Sequence, residues 1–462
     1  MALFRFLNLS IFDEFEFRDR SRQLDLLSRG DYSPIKDELR RAFPNSNLPV
    51  RAVPFVQKYV AEMAGLYARP VVRTFAASAG GAAKLAEVYD ASRIDVAMER
   101  AEAALWVQNT VLMVPLPDGP RRLRVLVALP WQVEPTVVDP LRADDPAGWS
   151  RVEIQVPSTV REGQVIYGTM VLTPTEAWRV QGVERVGIYR ADGTHPFGRI
   201  PCVLAHRVAP DPGRWAAPVN ESVLNLQVSL SLQEADNEVI VRQCAWPQKV
   251  IENADPAQMV EEIVIGPDKI VALIKADANA TSGPRMTVVQ GQVPVSELAS
   301  FAEHRVRLYC SMLGLDPSAF LRVNTSVTAS ARLFAAQDRA MQRDKVKPAL
   351  LRLEADLVRL VAAVLNLDGA LAIQVESVSV SVQWQEPELS ADPLHDVQAI
   401  RDSIALGLTT AADVVAAREG IGAAAAAVKV AANLATTRAL QPAAPPPPDP
   451  SPQPPPPEPA EA

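Results

Sequence analysis

The sequence predicts an α+β chain of several domains, and three observations carry that prediction. From Asn220 to Leu367 it reads as helix, short strand-bearing insert, helix, polar loop and a long helix interrupted by one proline. Upstream the pattern is mixed α and β, with hairpin strands dominating after the first helices. Downstream it is a small all-helical segment followed by a proline tail. A chain of 462 residues has room for two to four domains of roughly 100 to 200 residues each. Its 48% hydrophobic and 22% charged content supports sizeable cores.

The elements follow in order. Arg51 to Tyr67 places Val53, Val56, Val60, Met63 and Tyr67 on one stripe of an amphipathic helix. Arg69-Pro70 stops it, because the residue before a proline is pushed out of the helical region. A loop is expected over Ala76–Ala83, then a helix over Arg93–Val107. Val111–Leu116 and Leu123–Leu129 flank the turn Pro117-Asp118-Gly119-Pro120 as a hairpin. Strands are expected at Val152–Val156, Gln164–Leu172 and Val186–Arg190, closed by the turn Asp192-Gly193-Thr194. Gly198–Val203 leads into an extended segment and a proline-rich crossing, Pro210–Pro218.

Asn220–Ala245 is the first long helix, with Val223, Leu226, Leu230, Ala235 and Val239 on one side, ended by Trp246-Pro247. The insert to Gln292 is expected to hold strands at Glu262–Ile265, Ile270–Ile274 and Met286–Val289. Ser296–Met312 is the second long helix, with Leu298, Phe301, Leu308 and Met312 as its apolar face. The polar run Arg322–Thr328 precedes a helix to Asn366, whose Leu350, Leu353, Leu357, Leu360 and Val364 keep the 3-4 spacing of a packed seam. Pro348 lies inside that helix and predicts a kink just before it. Ile373–Val382 alternates as a strand. Asp392 onward is helical, with Val397, Ile400 and Ile404 on one face. After Gly407, Thr410 with Asp413 starts a second short helix to Glu419. From Gln441 the proline-rich tail can form neither helix nor ladder, and is expected to be a disordered, polyproline-II-leaning appendage.

The net charge of −8 speaks against a broad basic face that grips nucleic acid, though not against a surface surrounding a duplex loosely. Cys202, Cys244 and Cys310 are far apart and odd in number, so neither a disulfide framework nor a CxxC pair is expected, and a reducing cytosol is the natural compartment. Acidic residues directly after the short apolar run at the start make a signal or transit peptide unexpected. No apolar stretch approaches 18 residues, so no membrane span is expected. The chain lacks GxxxxGK[ST], GxSxG, HExxH and EF-hand patterns. His195, His206, His304 and His395 are isolated from one another and read as surface or interface residues rather than ligands. Asp255 with Glu261 and Glu262 reads as a solvated charge cluster. No enzyme, no cofactor and no metal is therefore expected.

Several stretches, taken in order, resemble the portal proteins of tailed bacteriophages, the rings at the capsid vertex through which DNA is packaged and ejected. They are Phe55–Val60 with Leu66–Pro70, Phe197-Gly198-Arg199-Ile200-Pro201, Gln233–Glu238, Thr325–Ala331, and Leu408–Val414 with Gly420-Ile421. The resemblance spans about residues 50 to 425 and lies in the order of these stretches rather than in any single motif. The alanine-rich end and the proline tail depart from it.

The resemblance implies a portal-like homo-oligomeric ring, usually of twelve subunits, assembled in the bacterial host cytoplasm and resident in the virion. By position, residues 1–219 and 330–389 would be a mixed α/β wing, 220–246 and 295–315 the two stem helices, and 247–294 an inserted α/β clip. Residues 316–329 would be the tunnel loop region, 390–440 an α-helical crown, and 441–462 the tail. Implied partners are double-stranded DNA in the channel, the major capsid protein and scaffold at the wing, and terminase and then the head–tail adaptor at the clip. Arg322, Asn324, Thr325, Ser326 and Thr328 are the candidates for facing DNA, since short hydroxyl and amide groups can exchange phosphate or water contacts cheaply as the duplex slides. An ordinary turn capping the next helix through Thr328 or Ser330 explains the same residues equally well. Arg305 and Arg307, with Glu234 and Asp236, are candidates for the subunit interface, with DNA contact by the two arginines as the alternative. Another phage head or adaptor protein without a DNA channel is the alternative reading, and a nucleic-acid enzyme a more distant one.

Overall fold

The computed structural model describes residues 2–42, 52–78, 80–119, 121–161, 164–245, 248–252, 285–289, 295–313, 315, 317, 320, 329–368, 373–385, 393–419 and 422–440. The chain divides into two compact units, Met1–Leu389 and Ser390–Ala462. Each is taken by itself. The first unit is mixed α/β and the described part of the second is helical, as the patterning predicts.

The first unit opens with α1 (Ala2–Ser28) and α2 (Ser33–Ala42), which bury Leu24, Leu27, Ile35 and Leu39. Next, α3 (Phe55–Met63) is shorter than the expected helix over Arg51–Tyr67. Its buried face is Phe55, Val56, Tyr59 and Met63, while Val53 and Val60 are only partly buried. The stripe turns because the larger aromatic side chains take the core-facing positions. The expected loop over Ala76–Ala83 is shorter, since β1 (Val72–Ala76) ends on its first residue and α4 (Gly81–Ala91) takes its last three. A strand there is invisible locally, since its antiparallel partner is β12 (Ser379–Gln383), with Phe75 opposite Val380. α5 (Ile94–Gln108) then follows the predicted bounds within a residue.

The hairpin is β2 (Thr110–Pro117) and β3 (Leu123–Ala128), with Met113 opposite Val127. β2 is buried on both faces. Val111 and Met113 join the main core, while Leu112 and Val114 join a second one. This is why the segment reads as a continuous apolar run rather than an alternating one. β4 (Val133–Val137), β5 (Trp149–Arg161), β6 (Gln164–Leu172), β7 (Ala177–Gln181) and β8 (Glu184–Gly187) form an antiparallel five-stranded meander in chain order. The last strand ends before the expected Arg190. The turn beyond it holds Gly193 at φ +76°, where a Cβ would run into the Trp178 ring, so glycine is required there. β9 (Val203–His206) pairs with β2 on the side opposite β3.

α6 (Glu221–Ala245) leads into β10 (Gln248–Glu252), which pairs antiparallel with β11 (Arg285–Val289) before α7 (Val295–Leu313). The other expected strands of the insert, Glu262–Ile265 and Ile270–Ile274, lie outside the described residues. The expected kinked helix is two helices, α8 (Ala329–Asp344) and α9 (Lys347–Leu365). Pro348 sits in the first turn of α9, where its missing N–H costs nothing, so the chain breaks over two residues instead of bending. α9 runs through the main core, with Leu350, Leu353, Leu357, Leu360 and Val364 all buried as the seam predicts. The segment expected as a strand over Ile373–Val382 begins with a 3₁₀ turn, Val375–Ser377, before β12.

The second unit contains α10 (Pro393–Ala405), α11 (Ala411–Glu419) and α12 (Ala423–Leu440). Gly407 at φ +69° follows α10. The predicted helix start at Thr410 forms a reciprocal cap. Thr410 N–H and Oγ1 donate to Asp413 Oδ2 at 2.9 and 2.6 Å, and Asp413 N–H donates to Thr410 Oγ1 at 3.1 Å. α12 falls in the alanine-rich end, where no apolar stripe marks it. The tail from Gln441 lies outside the described residues.

Candidate functional site: a helix pair with an uncovered apolar face

α6 is fixed to the first unit by one buried amide. Gln227 Oε1 accepts the N–H of Val56 at 3.0 Å, and its Nε2 donates to the carbonyl of Val53 and to Ser231 Oγ at 3.2 Å. α3 begins after Pro54, whose side chain cannot cap, so Gln227 satisfies a first-turn donor from another helix. Val223, Leu226, Leu230 and Ala235 complete the buried side of α6.

α7 is held more lightly. Val306 and Cys310 are buried, and Arg305 Nη1 donates to Ser229 Oγ on α6 at 2.6 Å. The expected apolar face of α7 is largely uncovered: Phe301, Leu308 and Met312 are 50, 51 and 70% exposed. Steps of 4, 3 and 4 from Phe301 through Arg305 and Leu308 to Met312 put them on one stripe of the helix. Arg305 covers the Phe301 ring at 5.0 Å. Beside this stripe runs a groove of about 680 Å³ between α1, α2, α6 and α7, lined by Gln23, Arg41, Gln233, Asp236, Phe301 and Arg305 among others. Both amide atoms of Gln233 are shielded from solvent without a partner among the described residues. Two helices, a ladder clamping the base of their insert, and an apolar stripe facing outward make up the candidate site.

The other side of the polar run 321–328 is anchored at α8. Arg339 pairs with Glu62 at 2.7 Å, and Arg343 donates to the carbonyls of Glu62 and Met63 at 2.8 and 3.2 Å, capping the end of α3. Directly beyond, the Glu102 carboxylate accepts the N–H groups of Gly65, Leu66 and Tyr67 at 2.9, 3.0 and 3.1 Å. Burial pushes the Glu102 pKa up, against the three N–H bonds and the Arg343 charge that pull it down.

The predicted channel residues Arg322, Asn324, Thr325, Ser326 and Thr328 lie outside the described residues. Glu234 and Asp236 are exposed on α6. Arg307 pairs with Glu303 one turn back on its own helix at 3.4 Å. His195 departs from its expected surface role. It is buried, its Nε2 lies 3.1 Å from the carbonyl of Thr173, and its ring stacks on Phe197 at 4.7 Å. Gln227, Glu102 and Arg343 had no local signal in the sequence, because each acts on backbone that only the tertiary fold brings near. Among the described residues no three His, Cys, Asp or Glu side chains converge to hold a metal, and no helix is long and apolar enough to cross a membrane.

No family model and no curated protein matches the chain. Among solved structures it is similar to a chain of the virion of a native gene transfer agent particle, with a TM-score of 0.41 and 13% identity over 81% of this chain and 89% of that one. A chain in the neck of an empty gene transfer agent particle gives the same values: TM-score 0.41, 13% identity, 81% and 89% coverage.

Proposed function

We propose that this chain is the repeating subunit of a portal-like ring that forms the channel for double-stranded DNA at the capsid vertex of a phage-like particle. The uncovered stripe of Phe301, Leu308 and Met312 carries this reading. A head-to-tail contact repeated by a fixed rotation closes a ring around an axial hole, and an identical neighbour would cover that stripe. The ordered sequence resemblance supports the same assignment. In it α6 and α7 are the stem, the insert beyond β10 and β11 is the clip that meets terminase and then the adaptor, and the rest of the first unit is the wing against capsid protein and scaffold. The acidic balance of the chain suits a tunnel that must not bind phosphates tightly, since tight binding would stall translocation.

Native mass spectrometry and negative-stain images of the full-length protein test the assignment. A closed ring of about twelve copies with a central hole is expected. A well-folded monomer at every concentration would overturn it, and an assembly without a hole would favour a head or adaptor protein without a channel. Alanines at 324–328 are expected to leave assembly intact and lower the yield of packaged DNA.

A further inference from the structure

Between α3, α5, the start of α6 and the ends of α7 and α8 lies a pocket of about 350 Å³, near the lower limit for small-molecule sites. Tyr59, Trp106, Arg207, Asn220, Gln342 and Lys345 are among the residues lining it. Hydrogen-bond donors dominate this wall. The half-buried Arg207 guanidinium lies over the Trp106 ring at 5.1 Å, and its Nε donates to the Leu105 carbonyl at 3.2 Å and to Asn109 Oδ1 at 2.8 Å. Among the described residues no carboxylate pairs with it, and desolvation pulls its pKa below the ordinary arginine value. The Nε1–H of Trp106, a residue 1% exposed, is sealed from solvent and has no partner among the described residues. Tyr59 Oη accepts from Asn220 Nδ2 at 3.3 Å, so its own proton remains to donate. Lys345 Nζ is steadied by Gln342 Oε1 at 2.9 Å.

A desolvated cation without an anion costs stability. We propose that this pocket binds an oxyanion of the phosphate class, gripped by Arg207 and Lys345 and further bonded by the Tyr59 hydroxyl. Two cations and a neutral donor match the charge and the several acceptor oxygens of a phosphate better than the two oxygens of one carboxylate. A free phosphate ion and the phosphate of a nucleotide share this chemistry.

The test titrates the full-length protein with inorganic phosphate and, separately, with a nucleoside monophosphate, against chloride at matched ionic strength. Melting temperature and tryptophan fluorescence are the readouts. A saturable rise in melting temperature is expected, with affinity about tenfold weaker in Lys345→Ala and saturation absent in Arg207→Met. The fluorescence change should vanish in Trp106→Phe. Lys345 is exposed, so its variant decides the matter even if Arg207→Met fails to fold. Saturation by inorganic phosphate assigns a free-ion site, and saturation by the nucleotide alone assigns a nucleotide site. No saturable response to either probe, or one that Lys345→Ala leaves unchanged, would overturn the proposal.

Discussion

Arg73 on β1 and Glu354 on α9 form a buried ion pair, with Nη2 2.6 Å from Oε1 and Nε 3.0 and 3.2 Å from the two carboxylate oxygens. Glu354 is fully buried, and the Tyr67 hydroxyl donates to its Oε1 at 3.0 Å. Burial, and then the Glu354 charge, drive the Tyr67 pKa far above its usual value, so this hydroxyl stays a donor. The pair ties β1 to α9, the helix that runs through the main core.

Removing one partner strands the other charge in the core. Arg73→Met is expected to destabilise the first unit by about 3–5 kcal/mol, with the double variant Arg73→Met/Glu354→Met recovering most of that loss. Urea midpoints for the single and double variants check it, and a double variant no better than Arg73→Met would show that the pair is not the cause.

Breaking the α7 stripe should act on assembly and not on folding. Full burial of a Phe, Leu or Met side chain is worth about 1.5–3 kcal/mol. Phe301→Gln with Leu308→Gln is therefore expected to weaken association by well over tenfold with an unchanged circular dichroism spectrum, measured by light scattering over a dilution series.

Pro348 occupies the first turn of α9 and no longer competes for a backbone hydrogen bond. Pro348→Ala should shift stability by less than about 1 kcal/mol in either direction. A gain of several kcal/mol in thermal or urea unfolding would mean that the proline strains a continuous helix.

Thr410→Ala removes the hydroxyl that makes two of the three bonds of the cap on α11, leaving only the Thr410 N–H bonded to Asp413. The expected loss is about 1 kcal/mol, confined to the second unit. It should appear as faster amide exchange across Ala411–Val414, while the exchange of α9 stays the same.

His195 and His206 both have pKa values lowered chiefly by burial from the ordinary 6.5. Below pH 6.5 the unfolded chain binds protons that the folded chain resists, so stability falls as pH drops from about 6.5 towards the folded values. Urea midpoints at pH 7.5 and 5.5 should show this loss, and His195→Gln should shrink the difference between them.

Long periodic elements were legible in the sequence because their signal is local. The α9 seam, the hairpin at Thr110–Ala128, the bounds of α5, α6 and α7, and the Thr410–Asp413 cap each depend on residues within a few turns of one another. What failed was anything whose partner is remote. β1 went unseen because β12 supplies its ladder, and Phe55 and Tyr59 joined Val56 and Met63 on the buried face of α3, in place of Val53 and Val60, only once the core existed. For the candidate site, the sequence supplied the two helices and which residues of α7 are apolar. It assigned the arginines of α7 to the subunit interface, whereas Arg305 bonds within the chain to Ser229 and Arg307 to Glu303.

Periodicity, proline placement and charge thus determine which segments are helix or strand, since those choices are made among near neighbours. Only the tertiary structure decided which apolar face is left in solvent, because burial is a property of what arrives from elsewhere in the chain. α9 and α7 carry similar stripes. One is enclosed by β9, β12 and α8, while the other leaves Phe301, Leu308 and Met312 open.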